Sequence, residues 1–155
     1  MTETENIPVK ILFRFHSDLL DQEIVETLWA ETVNAVLGHY KLNSLPFYVP
    51  LIAVDDTVYA QYDDGEEMLK YIETVEPSGN SNLWVVVTDD DADIGAIRDV
   101  FTELDCSSEA LSDRFFAMEV KSTTNYLKIK DKLNELRSEG IIDYSESCLS
   151  EQHQY

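Results

Sequence analysis

With 155 residues, 44% of them hydrophobic and 10% aromatic, the chain is long enough to bury a core and too apolar to be a disordered acidic tail. Its 31 acids against 11 Lys or Arg give a formal net charge of −20. Such a field repels nucleic-acid phosphates and anionic membranes and draws in basic protein surfaces, so neither nucleic acid nor membrane is expected as a partner. The first ten residues have no basic segment followed by an apolar run, and no stretch approaches the ~20 apolar residues of a membrane helix. A cytoplasmic location is therefore expected.

The first half reads as sheet. Val9 to His16 alternates around Ile11, Phe13 and Phe15, the period of a strand. Ile24 to Val33 is ambiguous: Val25, Leu28, Trp29 and Val33 fit a helix face, but the β-branched and aromatic residues favour a strand. Gly38 marks a turn, and His39 to Leu42 begins an extended piece that stops at Asn43-Ser44 and Pro46. Thr57 to Tyr62 and Glu67 to Val75 flank Asp63-Asp64-Gly65-Glu66, a strong hairpin signal.

A turn at Pro77 to Asn80 leads into Leu83 to Thr88, whose short apolar, β-branched run suits a buried strand, with Trp84 in the core. The period then changes. Ile94, Ile97, Val100, Phe101 and Leu104 recur at three- and four-residue steps, an amphipathic helix of about four turns capped by Asp91 or Asp93. Arg114 to Val120 reads as a strand, and Tyr126, Ile129, Leu133 and Leu136 line a second helix closed by Gly140. Ile141 to Tyr144 adds a short extended segment. The fold class is α+β: a mostly antiparallel sheet, then strand–helix–strand–helix with two helices on the sheet. One domain over 1–155 is expected, with possible subdomains at 9–76 and 82–149.

Candidate sites are few. Asp89, Asp91 and Asp93 occupy the first, third and fifth positions of a calcium loop, but Ile94 stands where glycine is needed and Val100 where a bidentate glutamate belongs. His16, His39 and His153 lie at no metal-binding spacing, and His153 falls in a tail expected to fray. Cys106 and Cys148 are far apart and read as free thiols, with a single disulfide as the alternative. No phosphate-binding glycine loop or nucleophile elbow is present. Neither catalysis nor a cofactor is therefore expected.

The charge itself is the strongest signal. Between Asp55 and Asp113 lie seventeen acids and two bases, Lys70 and Arg98, a net of −15 that leaves −5 for the rest. The candidate partner-binding residues are Asp55, Asp56, Asp63, Asp64, Glu66 and Glu67 in the first half, and Asp89, Asp90, Asp91 and Asp93 in the second. The hairpin tip and the 89–93 loop are expected to protrude, with no sequence neighbours to neutralise them. Trp29 and the Tyr40–Tyr48 segment are the alternative face. The second helix, with Lys128, Lys130, Lys132 and Arg137 against Asp131 and Glu135, is the one locally basic element.

Several ordered pieces resemble a bacterial family known only as a domain of unknown function: Glu26 to Ala30, Tyr40 to Phe47, Ile52-Ala53 with Asp56 and Val58, the Ser78 to Ser81 turn, a helix end at Cys106, and Tyr144, Glu146, Cys148 and Leu149. Asp55-Asp56 stands where that pattern leads one to expect Gly-Asp. The family assigns no catalytic residues. Small acidic proteins of this kind look like immunity proteins, so the resemblance implies a monomeric inhibitor of a cognate antibacterial toxin domain with a basic surface. The alternative is a housekeeping or regulatory binding module whose acids serve solubility.

Overall fold

The computed structural model describes residues 7–18 and 20–155, which divide into two compact units, one up to Ser78 and one from Gly79 onward. In the first unit, five strands follow one another around a closed barrel: β1 (Val9–Ser17), β2 (Gln22–Asn34), β3 (His39–Leu42), β4 (Thr57–Asp63) and β5 (Met68–Glu76). Neighbours are antiparallel, and closure comes from a short parallel pairing of Ile11 and Leu12 on β1 with Leu69 and Lys70 on β5.

Alternation decides which side chains enter the barrel. Ile11 and Phe13 point in and pair with Leu28 and Glu26 on β2, while Lys10, Arg14 and His16 point out. β2 settles the ambiguous segment as a strand. Leu28 is buried, whereas Val25, Trp29 and Val33, which share the other parity, are exposed. Val58, Ala60, Leu42 and Tyr40 complete the core with Val49 and Ile52 from the β3–β4 loop, and Phe13 stacks on Tyr71 with ring centroids 4.7 Å apart.

Gly38 at the β2–β3 turn has φ +73°, and a Cβ there would lie 2.9 Å from the Ala60 carbonyl oxygen, so both backbone and space demand glycine. The β4–β5 hairpin is present, but Gly65 does not supply its left-handed residue. The connection is 64–67, and Glu67 takes φ +57° while its N–H donates to the Asp63 carbonyl at 2.7 Å.

The second unit runs β6 (Ser81–Val87), α1 (Ile94–Thr102), β7 (Cys106–Ala110), β8 (Phe115–Val120), α2 (Tyr126–Ser138) and β9 (Ile142–Cys148), then a 3-10 turn at Glu151–His153. Sheet order is β7-β8-β6-β9, every neighbour antiparallel. This βαββαβ order is the split arrangement of ferredoxin-like folds. Both helices pack on one sheet face, where Ile97, Phe101, Ile129 and Leu133 meet Leu83, Val85, Phe116 and Met118.

Strand–helix–strand–helix is thus extended by two strands. β7 escapes a sequence reading because only Cys106 in Cys-Ser-Ser-Glu-Ala is deeply buried. β9 replaces the short extended segment at 141–144. α1 is nine residues, about two and a half turns, and Asp93 is its cap, accepting from Ala96 N at 3.0 Å. Trp84 is only partly buried, because the alternation that sends Leu83 and Val85 to the helix side sends it to the other. Gly140, at φ +75°, ends α2: its N–H donates to Arg137 O, and that of Ile141 to Leu136 O, both at 3.0 Å.

Candidate binding surface

At one end of the barrel two hairpins converge. Arg14, three residues before β1 ends, donates to Glu23 on β2 at 2.8 Å and to Glu66 in the β4–β5 tip, tying the tip to the β1–β2 turn. This places Asp18, Asp21 and Glu23, which sequence reasoning passed over, beside Asp63, Asp64, Glu66 and Glu67. The signal that could have found them was available: two strands at 9–16 and 24–33 imply a turn carrying Asp18 and Asp21. Seven acids there face two fixed bases, Arg14 and Lys70, the latter 3.9 Å from Asp63. Asp63 also accepts from Gly65 N at 2.9 Å. The carboxylates of Asp64 and Glu67 are exposed and hold no partner among the described residues. His16 Nε2 lies 3.4 Å from the exposed Asp21 carboxylate.

Asp55 and Asp56 do not join this group. They precede β4, whose length sets them about 20 Å from the tip. Asp56 is 3% exposed, and its carboxylate accepts from Ala53 N at 3.0 Å and Ser78 N at 2.8 Å. Burial raises its pKa against the lowering effect of those amides. It is thus withdrawn from any partner and fastens the β3–β4 loop to the end of the unit. Asp55 takes φ +71°, the conformation a glycine there would adopt freely, and lies 3.9 Å from Lys41 Nζ.

In the second unit the 89–93 loop spends most of its carboxylates locally. Asp89 Oδ1 accepts from Asp91 N at 2.9 Å, Asp93 caps α1, and Asp90 is held by Arg114, which also donates to Val87 O at 3.2 Å. The expectation of an unneutralised run fails here because Arg114, distant in sequence, arrives just before β8, where its carbonyl accepts from Val87 N at 2.7 Å. Within this loop only the Asp91 carboxylate is exposed and without a partner among the described residues. No group of three or more His, Cys, Asp or Glu among those residues could hold a metal ion.

Elsewhere the polar groups are structural fastenings. Three consecutive amides, Phe47, Tyr48 and Val49, donate to the Glu26 carboxylate at 2.8–3.0 Å. His153, far from fraying, is 3% exposed. Its Nε2 donates to Lys121 O at 2.9 Å, so in the neutral ring Nδ1 accepts from Ser81 Oγ at 2.6 Å, and Ser81 Oγ in turn accepts from Ser150 N. This Ser–His pair is enclosed and fully committed. Lys130 donates to Glu146 at 3.2 Å and to Tyr155 Oη at 3.0 Å, with the Tyr144 and Tyr155 rings 5.1 and 4.5 Å from its Nζ. Burial alone would raise the Glu146 pKa, but hydrogen bonds from Tyr126, Tyr155 and Lys130 outweigh it and hold the carboxyl below its usual range. Burial pushes the Cys106 thiol up to about 12, and both cysteines are free.

On the alternative face, Trp29 and Tyr48 are 45% and 49% exposed, with Lys10 Nζ 5.0 Å from the Trp29 ring, while Tyr40 belongs to the core. No helix among the described residues is long and apolar enough to cross a membrane.

The sequence profile of a family described as "Domain of unknown function (DUF4265)" matches residues 26–144, from within β2 to within β9. No curated protein matches the chain. Among solved structures it is similar to one titled "Novel crystal structure of a hypothetical protein from Neisseria gonorrhoeae", with a TM-score of 0.80 and 20% identity over 93% of this chain and 96% of that one. That likeness shows a shared fold.

Proposed function

For this chain, which belongs to the DUF4265 family of unknown function, we propose a binding role: an immunity-type inhibitor that neutralises a cognate antibacterial toxin domain by laying acidic residues into its cationic site. The observation that carries the reading is the barrel end where Arg14 gathers two hairpins and seven acids face two fixed bases. A toxin acting on nucleic acid or a nucleotide must present cations to phosphate, and carboxylates held on a rigid barrel can occupy that place. Asp64, Glu67 and Asp91 are the acids best suited to pair outward. The enclosed Ser81–His153 pair also favours a binder over an enzyme, since a substrate has no path to either group.

This reading predicts that a neighbouring gene encodes a toxin domain, and the test uses that domain. Association should slow steeply as salt rises from low to physiological, with dissociation little changed. Reversing Asp64 and Glu67 to Lys should cut the association rate by about tenfold while leaving Tm unchanged or higher. Unaltered inhibition by that variant would sink this reading.

A second reading, a housekeeping or regulatory module whose acids only maintain solubility, is favoured by the internal use of Asp56, Asp89, Asp90, Asp93 and Glu66. A flat association rate across the same salt range would support it.

A further inference from the structure

The barrel is closed, yet among the described residues no strand pairs with the second side of one stretch of β2. β1 pairs with Gln22 through Ala30, but β3 reaches β2 only from Ala30 onward. The N–H and C=O of Trp29 point away from β1, since they meet Ser44 Oγ at 3.1 Å and Asn43 N at 3.0 Å. In an antiparallel ladder this direction alternates, so the backbone groups of Glu23, Val25 and Thr27 share it. No hydrogen bond reaches them among the described residues, and all three residues are exposed. The contrast with β7 is instructive. There the edge carbonyl of Ser108 is taken by Arg98 Nη2 at 2.9 Å, with Arg98 Nε on Ser108 Oγ.

We infer that the Glu23–Thr27 edge of β2 is a strand-addition site for an extended, basic segment of a partner protein. Backbone bonds to alternate residues would supply affinity, and side chains spaced by two would read the face beside Val25 and Trp29. The choice of occupant rests on charge complementarity. The edge is flanked by Asp18, Asp21, Glu23 and Glu31, and the nearby Arg14 is already committed to Glu23 and Glu66. A second copy is disfavoured, because two such edges would set these acids against each other on chains of net charge −20. The inference rests on the binding role proposed above and adds its geometry. The competing explanation is that these acids merely guard an open edge against self-pairing.

A short peptide alternating lysine and valine, a lysine–glycine peptide of equal charge, and the lysine–valine peptide N-methylated at alternate residues separate the cases. With the full chain at low salt, the lysine–valine peptide should bind and protect the Val25 and Thr27 amides from hydrogen exchange. N-methylation should weaken it by about tenfold or more, the loss expected from two missing backbone hydrogen bonds. Val25→Pro should do the same, since that N–H takes no part in the β1 ladder. If Val25→Pro fails to fold, the N-methylated peptide still decides. Equal binding of all three peptides, or Val25 and Thr27 amides left unprotected, would overturn the edge site while leaving the acidic-surface reading intact. Absence of binding by every peptide would overturn both.

Discussion

Two aspartates adjacent in sequence, Asp55 and Asp56, show how far composition can be trusted at the scale of one residue. Both count equally toward net charge, but one is in a left-handed turn at the surface and the other is buried, where it accepts two amides. Density of acids therefore located the hairpin tip and mislocated Asp56. Sequence neighbours alone could not reveal that Arg14 and Arg114 reach carboxylates dozens of positions away. His153 was misplaced for the same reason, since its partners Ser81 and Lys121 are distant along the chain. Glu146 offers a test at this scale. Its folded pKa lies below the unfolded value, so its contribution to stability is present above pH 4.5 and is lost as pH falls through the folded pKa. Glu146→Gln should cost about 1–3 kcal/mol at neutral pH, the range for hydrogen bonds to a charged group. Denaturant titrations of both proteins should show this difference shrinking below pH 4.5. A pH-independent difference would mean that packing, and not ionisation, explains the residue.

Elements were legible where a period was clean and illegible where an edge strand lacked one. β1, β4 and β6 carry unmistakable alternation or apolar runs, and both helices carry the 3.6 period. β7 has no such pattern because an edge strand with one side toward solvent needs few apolar residues. Gly38 and Gly140 were read correctly as a turn and a helix end, unlike Gly65, and they matter for different reasons. Gly140 has a positive φ and open space around it, whereas Gly38 has a positive φ and a carbonyl in the way. Gly140→Ala should therefore cost about 1 kcal/mol, the conformational penalty alone. Gly38→Ala should cost about 2–3 kcal/mol, because the β2–β3 turn must also move off Ala60. Paired denaturant titrations check the ranking, and equal losses would show that the close approach at Gly38 is readily relieved.

At the scale of the molecule, sequence reasoning gave the α+β class, but it could not give the barrel. Closure depends on the pairing of β1 with β5, which no local pattern announces. The net charge of −20 was plain from the outset, and it has a consequence for stability. Unfolding spreads like charges apart, so the folded chain carries a repulsive cost that salt screens over about 8–10 Å. Raising sodium chloride from low to physiological concentration should lift Tm by a few degrees, about 2–4 °C for each kcal/mol of relieved repulsion in a chain of this size. A Tm that falls with salt would mean that ion pairs such as Arg14 with Glu23 and Glu66 outweigh the repulsion.

The parallel seam between Ile11–Leu12 and Leu69–Lys70 also sets an order of events during synthesis. The first strand of the barrel leaves the ribosome about sixty residues ahead of its last neighbour, several seconds at ordinary elongation rates. Until then β1 can do no more than hairpin with β2, and its other side stands open. The nascent chain therefore passes through a window in which two strand edges are unsatisfied. Afterwards, closure covers that edge at Ile11 and Leu12 and joins the two ends of the barrel. Slowing translation past β5 should lengthen that window, and with it the chance of capture by a chaperone or a neighbouring chain.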